Sequence, residues 1–105
     1  MQIWGLKNCD TCRKAKRALP DATFHDVREQ GISDEILTNA LEIFGDALVN
    51  TKSTTWRGLT DFERSRPALE LLKEHPALMK RPLIRTQTGD FYLSWSKDTQ
   101  TALGV

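Results

Sequence analysis

The sequence predicts an α/β fold, because strand-like and helix-like segments alternate at both ends of the chain. Residues 3–6, Ile-Trp-Gly-Leu, form a short apolar run that is typical of a buried strand. Apolar residues then recur at helical spacing over residues 12–19, and Pro20 ends that pattern. Residues 23–27, Thr-Phe-His-Asp-Val, indicate a second strand. A strand–helix–strand unit of this kind pairs its strands in parallel through a right-handed crossover.

The middle of the chain carries helix signals. Ser33 is suited to cap a helix that has acidic residues in its first turn and that ends at Gly45. Residues 60–63 carry the capping-box pattern, in which Thr is followed three places later by Glu. Pro67 suits the first turn of a further helix. We therefore expect a helical insertion over about residues 33–79.

The C-terminal segment predicts a β-hairpin followed by a helix. Residues 83–87 and 91–94 are strand-like, and the turn residues Thr88-Gly89-Asp90 separate them. A short helix over about residues 97–103 would close the chain. With 105 residues, the whole chain is expected to form one domain.

Composition excludes several function classes. The formal charge of +1 gives no field strong enough to indicate nucleic-acid binding. The basic run in the first helix is interpreted as a solvated face; it consists of Arg13, Lys14, Lys16 and Arg17. No secretory signal and no run of about 18 apolar residues occurs, so we expect a cytoplasmic protein with no membrane partner. Two cysteines are too few for the disulfide framework of a small secreted protein.

The two cysteines form a Cys-x-x-Cys motif where the first strand gives way to the first helix. Unpaired N–H groups and the positive dipole end of a helix stabilise a thiolate there, which makes Cys9 the predicted nucleophile. Arg13 and Lys14 are expected to add positive charge. Cys12, three residues on, is within reach of a disulfide with Cys9 and is the predicted resolving thiol. Asp10 would oppose thiolate formation if its carboxylate pointed inward, and its direction is open.

Two other interpretations of the cysteine pair remain. The pair would fill space without reacting if both thiols were buried, since a free cysteine packs as a small hydrophobic residue. A structural zinc site needs four ligands, but the sequence has no second cysteine pair, and His25 and His75 are far apart. No metal is therefore expected.

Three segments resemble the arsenate reductase and Spx (ArsC-like) family, and within it the small bacterial reductase-like members. The first is Gly5-Leu6-Lys7-Asn8-Cys9-Asp10-Thr11-Cys12-Arg13-Lys14-Ala15. The second comprises Asn50-Thr51-Lys52 with Thr54-Thr55-Trp56-Arg57, and the third is Lys80-Arg81-Pro82-Leu83. The resemblance covers essentially the whole chain.

This resemblance implies a thioredoxin-like fold with a four-stranded mixed sheet and a helical insertion. It implies that Cys9 is catalytic, that Arg81 binds an anion and that Pro82 is cis. In thioredoxin-like folds, the residue before the cis-proline presents its backbone to a thiol substrate. The predicted catalytic residues are Cys9, Cys12 and Arg13, and the predicted substrate-binding residues are Asn8, Thr11, Arg81 and Pro82.

The predicted function is that of a thiol-disulfide oxidoreductase with no bound cofactor. Glutathione or another thiol is the expected co-substrate, and the substrate would be a small thiol compound or an oxidised protein. One alternative is a redox-sensing regulator of the Spx type that binds RNA polymerase. Another is a genuine arsenate reductase. Those enzymes resemble this chain but carry further arginines, which would fall near Asn50 and within Ser94-Trp95-Ser96, where this sequence has none.

Overall fold

Four short strands form one mixed sheet. The computed structural model describes all 105 residues, Met1–Val105. The strands are β1 (Gln2–Gly5), β2 (Thr23–Asp26), β3 (Leu83–Arg85) and β4 (Phe91–Leu93), in the order β2-β1-β3-β4. β1 is parallel to β2 and antiparallel to β3, and β3 is antiparallel to β4. The mixed four-stranded sheet is therefore confirmed.

Seven α-helices accompany the sheet. They are α1 (Asp10–Ala18), α2 (Val27–Gln30), α3 (Asp34–Phe44), α4 (Thr54–Arg57), α5 (Asp61–Arg64), α6 (Ala68–Glu74) and α7 (Lys97–Leu103). Two 3₁₀ turns cover Gly45–Leu48 and Pro76–Leu78. No helix has the length and apolar character that a membrane crossing would need.

The chain divides into two compact units. The first unit contains the sheet and consists of Met1–Gln30 with Arg81–Val105, and the second is the helical segment Gly31–Lys80. The core of the first unit is a cluster of four buried apolar side chains from β1, α1 and β3: Ile3, Ala15, Leu19 and Ile84. Partly buried aromatic residues pack against this cluster: Phe24, Tyr92 and Trp95. This apolar contact holds α1 against the sheet, which determines where the start of α1 lies.

Helix caps and short backbone contacts define the local structure of the second unit. The Ser33 hydroxyl accepts a hydrogen bond from the Ile36 N–H at 3.2 Å and caps α3. Thr60 and Glu63 form both halves of a capping box at the start of α5. An antiparallel bridge joins Val49 to Met79. The local polar pattern of this segment therefore directs its helix boundaries, as the sequence predicts.

Several predicted boundaries shift by one or two residues. The first strand ends at Gly5 rather than at residue 6, and Pro67 caps α6 instead of lying in its first turn. The second strand stops before Val27, because Val27 starts α2. The Asp26 carboxylate explains this early stop, since it accepts backbone N–H groups from the first turn of α2.

Candidate active site

The sheet topology brings the cysteine motif and the Arg81-Pro82 segment to the same edge. Cys9 follows the C-terminal end of β1. Because β3 is antiparallel to β1, with Trp4 opposite Leu83, the residues that precede β3 lie at that same end. The peptide bond between Arg81 and Pro82 is cis, and Pro82 is buried. The cis bond that the family resemblance implied is therefore present in the structure.

Cys9 is the N-cap residue of α1. Its backbone is extended, with φ −92° and ψ 123°, and its carbonyl oxygen accepts the Arg13 N–H at 3.0 Å. The Cys9 N–H donates to the Leu6 carbonyl at 3.1 Å, which closes the turn between β1 and α1. The side chain is partly exposed. This sulfur is thus held at the positive end of a nine-residue helix with access to solvent.

The surroundings of Cys9 favour its anion. Partial burial opposes ionisation, but the net pKa of the Cys9 thiol is lowered, because the backbone N–H and the thiol of Cys12 both interact favourably with the thiolate. The Arg81 guanidinium adds a hydrogen bond and a charge attraction. A lowered pKa increases the thiolate fraction near neutral pH, and the thiolate is the reactive form.

Cys12 lies in the opposite environment. Its side chain is 0% exposed, and burial raises the pKa of its thiol to about 12, with a further contribution from the neighbouring Cys9. Both cysteines are free thiols. The pair is therefore asymmetric: one sulfur is accessible and inclined to ionise, and the other is buried and protonated. Such asymmetry suits a nucleophile and a resolving thiol.

Arg13 makes local contacts on the surface of α1. Its Nε donates to the Lys7 carbonyl at 3.1 Å, and its guanidinium pairs with Asp10 at 3.4 Å. The Asp10 side chain is 89% exposed, so its carboxylate points to solvent and towards Arg13. Among the cations of the predicted site, it is Arg81 that acts on the Cys9 pKa. Arg13 instead stabilises the turn that leads into the helix.

Of the other predicted substrate-binding residues, Asn8 and Thr11 flank Cys9 in sequence, and Pro82 is brought to the same end of the sheet by the pairing of β3 with β1. Asn8 lies in the turn between β1 and α1, Thr11 lies in the first turn of α1, and both are exposed. The buried Pro82 carbonyl accepts the Ser94 N–H at 2.8 Å, which joins the cis-proline segment to the residue after β4. Asn8, Thr11 and Pro82 thus lie on the segments that border Cys9 on the first unit.

Asp26 was not predicted as part of this region, yet it supports the cysteine loop. Its side chain is 6% exposed, and its Oδ2 accepts the Lys7 N–H at 2.9 Å. Its Oδ1 accepts the N–H groups of Arg28 at 2.9 Å and Glu29 at 3.1 Å. These three bonds lower the pKa of Asp26, with the Lys7 bond as the largest cause. An Asp before a short helix is an N-cap signal, but its bond to Lys7 spans two segments that the sequence does not connect.

Potential metal-ligating side chains are not clustered in the structure. No group of three or more His, Cys, Asp or Glu side chains is placed to bind a metal ion. Both ring nitrogens of His25 are hydrogen-bonded to glutamine side chains, Gln30 at 3.1 Å and Gln2 at 2.9 Å. The ring also stacks on Trp4 with centroids 5.6 Å apart. The contacts of His25 are therefore hydrogen bonds and ring stacking with neighbouring side chains.

The fold and the helix-capping cysteine define a class, that of thioredoxin-like proteins with a thiol site. Within that class, the ArsC family model matches residues 4–100, and the chain belongs to the ArsC family. Membership indicates thiol-based oxidoreductase chemistry of the arsenate reductase-like kind.

Individual relatives are similar over most of this chain. A protein from Haemophilus influenzae described as uncharacterized is 43% identical, and the match covers 78% of this chain and 80% of that protein. A solved structure named YFFB is 28% identical with a TM-score of 0.85, and it covers 96% of each chain. The solution structure of an arsenate reductase (ArsC) related protein from Brucella melitensis is 30% identical with a TM-score of 0.69, covering 99% of this chain and 94% of that one.

Proposed function

We propose that this protein is a thiol-disulfide oxidoreductase in which Cys9 attacks and Cys12 resolves. The observation that carries the proposal is the asymmetry of the two thiols. The accessible Cys9 has a lowered pKa, while the pKa of the buried Cys12 is raised to about 12. A pair that only filled space would have no reason to place one sulfur at a helix N-terminus with an arginine beside it.

The reaction proceeds by two thiol-disulfide exchanges. The Cys9 thiolate attacks one sulfur of a substrate disulfide, forms a mixed disulfide and releases the other half as a thiolate. Cys12 then loses its proton and attacks the Cys9 sulfur, forming the Cys9–Cys12 disulfide and releasing the second thiolate. The released thiolates take up the two protons that the protein thiols lose. The substrate gains two electrons, and the protein dithiol is oxidised by two electrons.

Regeneration needs an external thiol, and we propose glutathione or a thiol of similar chemistry. Two molecules of that thiol would reduce the Cys9–Cys12 disulfide and leave as their own disulfide. Asn8, Thr11, Arg81 and Pro82 are the proposed substrate contacts, because they border the reactive sulfur. Arg81 is suited to an anionic substrate group, since its guanidinium contributes to the lowered pKa of the Cys9 thiol and would attract an anion bound there. A reducing cytoplasm would supply the thiol.

The variant Cys12→Ser tests this function directly. Without the resolving thiol, the mixed disulfide should remain on Cys9 after the reduced protein is treated with glutathione disulfide. Intact-mass measurement should find one glutathione adduct per chain, and peptide mapping should place it on Cys9. The matched variant Cys9→Ser should form no adduct, because Cys12 is buried. Absence of the adduct in Cys12→Ser would overturn the proposal.

The same variant separates the alternatives. A regulator that uses the pair as a switch would capture RNA polymerase subunits from lysate and would show no turnover with a disulfide and excess glutathione. A genuine arsenate reductase would consume arsenate in the presence of a thiol. We expect turnover with a disulfide substrate and none with arsenate, because a single arginine beside the thiolate provides few of the charge-assisted contacts that an oxyanion needs.

A further inference from the structure

Gly5 leaves the space that the Cys12 sulfur occupies. Gly5 is the last residue of β1, and a Cβ placed on it would lie 2.4 Å from Cys12 Sγ. The same Cβ would be 3.3 Å from Cys12 Cβ and 3.6 Å from an edge carbon of Phe24. Non-bonded heavy atoms pack at about 3.5–4.0 Å, so a side chain at this position would require the Cys12 sulfur to move. The sulfur therefore rests directly on the strand backbone.

The requirement for glycine here is one of space. The glycines with positive φ are Gly31, Gly45, Gly89 and Gly104, and Gly5 is not among them. A side chain at position 5 would be compatible with the backbone conformation but would displace the neighbouring Cys12 sulfur. Glycine is needed at this position because the Cys12 sulfur lies against it.

The surroundings of Gly5 and Cys12 leave little freedom to adjust. Gly5 is in register with Asp26 in the parallel pairing of β1 and β2. Cys12 is fully buried, and Ala15, one turn further along α1, belongs to the core cluster. Moving the strand or the helix would therefore disturb the sheet or the core. Rotation of the Cys12 side chain is the least costly response to a larger residue at position 5.

We propose that Gly5 is a positioning residue for the thiol pair, because its missing side chain lets Cys12 Sγ lie against β1 and face Cys9. The inference rests on the proposed function for the use it assigns to Cys12. The position of the sulfur has two consequences. In the reduced protein the Cys12 thiol favours the Cys9 thiolate, and in the mixed disulfide the same sulfur must reach Cys9 to form the new bond.

The test compares Gly5→Ala with a glycine that has room for a methyl group. Gly58 is the matched control, since a Cβ there would lie 3.6 Å from the carbonyl oxygens of Thr54 and Thr55, an ordinary contact. The aromatic disulfide 5,5′-dithiobis(2-nitrobenzoate) is the probe. Attack by Cys9 releases one coloured thiolate, and resolution by Cys12 releases the second. The two phases separate the nucleophile from the resolving thiol.

The second phase should be at least about tenfold slower in Gly5→Ala and unchanged in Gly58→Ala, because only the former displaces the Cys12 sulfur. Alkylation of Cys9 by iodoacetamide at pH 6.5 should also slow by about threefold, the change that half a unit of pKa produces. In a Cys12→Ala background, adding Gly5→Ala should leave that alkylation rate unchanged, since the sulfur is already gone. Wild-type rates in Gly5→Ala, or equal slowing in both backgrounds, would overturn the positioning role.

Folding failure and functional failure are distinguishable. If Gly5→Ala alone does not fold, the double variant Gly5→Ala/Cys12→Ala decides: a recovered thermal transition supports the steric conflict, and an equal loss in both chains contradicts it. If the wild-type protein releases only one thiolate, the proposed resolving role of Cys12 fails. The alkylation comparison in the two backgrounds then still tests whether Gly5 positions the sulfur.

Discussion

The Arg81 guanidinium helps to lower the pKa of the Cys9 thiol through hydrogen bonding and charge attraction, although Cys9 follows β1 and Arg81 precedes β3. The antiparallel pairing of those two strands is what brings the residues together. The guanidinium is always charged and presents its donors in a fixed plane. The activation of Cys9 therefore depends on sheet topology as well as on the local cysteine motif.

Replacing Arg81 should reduce the reactivity of Cys9. Gln in place of Arg81 removes the charge and should raise the Cys9 pKa, which lowers the thiolate fraction at pH 6.5 by at least about threefold. Lys in place of Arg81 keeps the charge and should give an intermediate rate. Alkylation by iodoacetamide with peptide mapping measures the rate at Cys9 in both variants.

Arg85→Gln is the matched control for that experiment. Arg85 is the last residue of β3, the strand that Arg81 precedes; it lies opposite Gln2 at the other end of the sheet, and its guanidinium is 5.7 Å from the Phe91 ring centroid. Its loss should leave Cys9 alkylation unchanged. Equal slowing by Arg81→Gln and Arg85→Gln would show that the effect of Arg81 is non-specific.

Asp26→Asn should destabilise the first unit in a pH-dependent manner. The pKa of Asp26 is lowered in the folded chain by its N–H partners, so its stabilising contribution is present above the unfolded value of about 3.9 and is lost as pH falls through the folded value. We expect a loss of about 1–3 kcal/mol in unfolding free energy at pH 7. The exposed Asp21→Asn is the control.

Urea unfolding of both variants at pH 7 and under more acidic conditions provides the comparison. The gap in unfolding free energy between wild type and Asp26→Asn should narrow as the pH falls from the unfolded value of about 3.9 through the folded pKa of Asp26. A gap that stays constant over that range would mean that the charge of Asp26 does not contribute to stability.

Ser33→Ala should destabilise the second unit by about 1 kcal/mol, because the Ile36 N–H loses its cap. Thr38→Ala is the control, since Thr38 is exposed within α3 and alanine has the higher helix propensity. Chemical denaturation followed by far-UV circular dichroism distinguishes the two. Equal effects of the two substitutions would refute the capping role.

Elements with local signals were predictable from the sequence. The Lys97–Leu103 helix and the Ser33 cap follow from residues within a few positions of one another. The position of Cys9 at the start of α1 was predictable for the same reason, since a strand, a turn and a helix start lie within a dozen residues. The candidate role of Arg81 and the cis bond at Pro82 could be predicted only from the family resemblance.

Contacts between segments that are distant in sequence could not be predicted from such local signals. The bond from the Lys7 N–H to Asp26 and the contact of Cys12 with Gly5 both depend on the packing of β1 against its neighbours. The contacts of a charged residue are similarly hard to predict from sequence spacing alone. Arg13 is adjacent to the cysteine motif, but its guanidinium contacts Asp10 and the Lys7 carbonyl. Proximity in sequence alone does not show that Arg81 lowers the pKa of the Cys9 thiol.

The alkylation rate of Cys9 as a function of pH most directly tests the claim that this sulfur is an activated nucleophile. The two cysteines of the reduced wild-type protein are quantified separately by mass spectrometry after short exposure to iodoacetamide. We expect Cys9 to react first, with a midpoint below the value of about 8.5 for an ordinary thiol, and Cys12 to stay unlabelled. A Cys9 midpoint at or above that value, or labelling of Cys12 before Cys9, would contradict the claim.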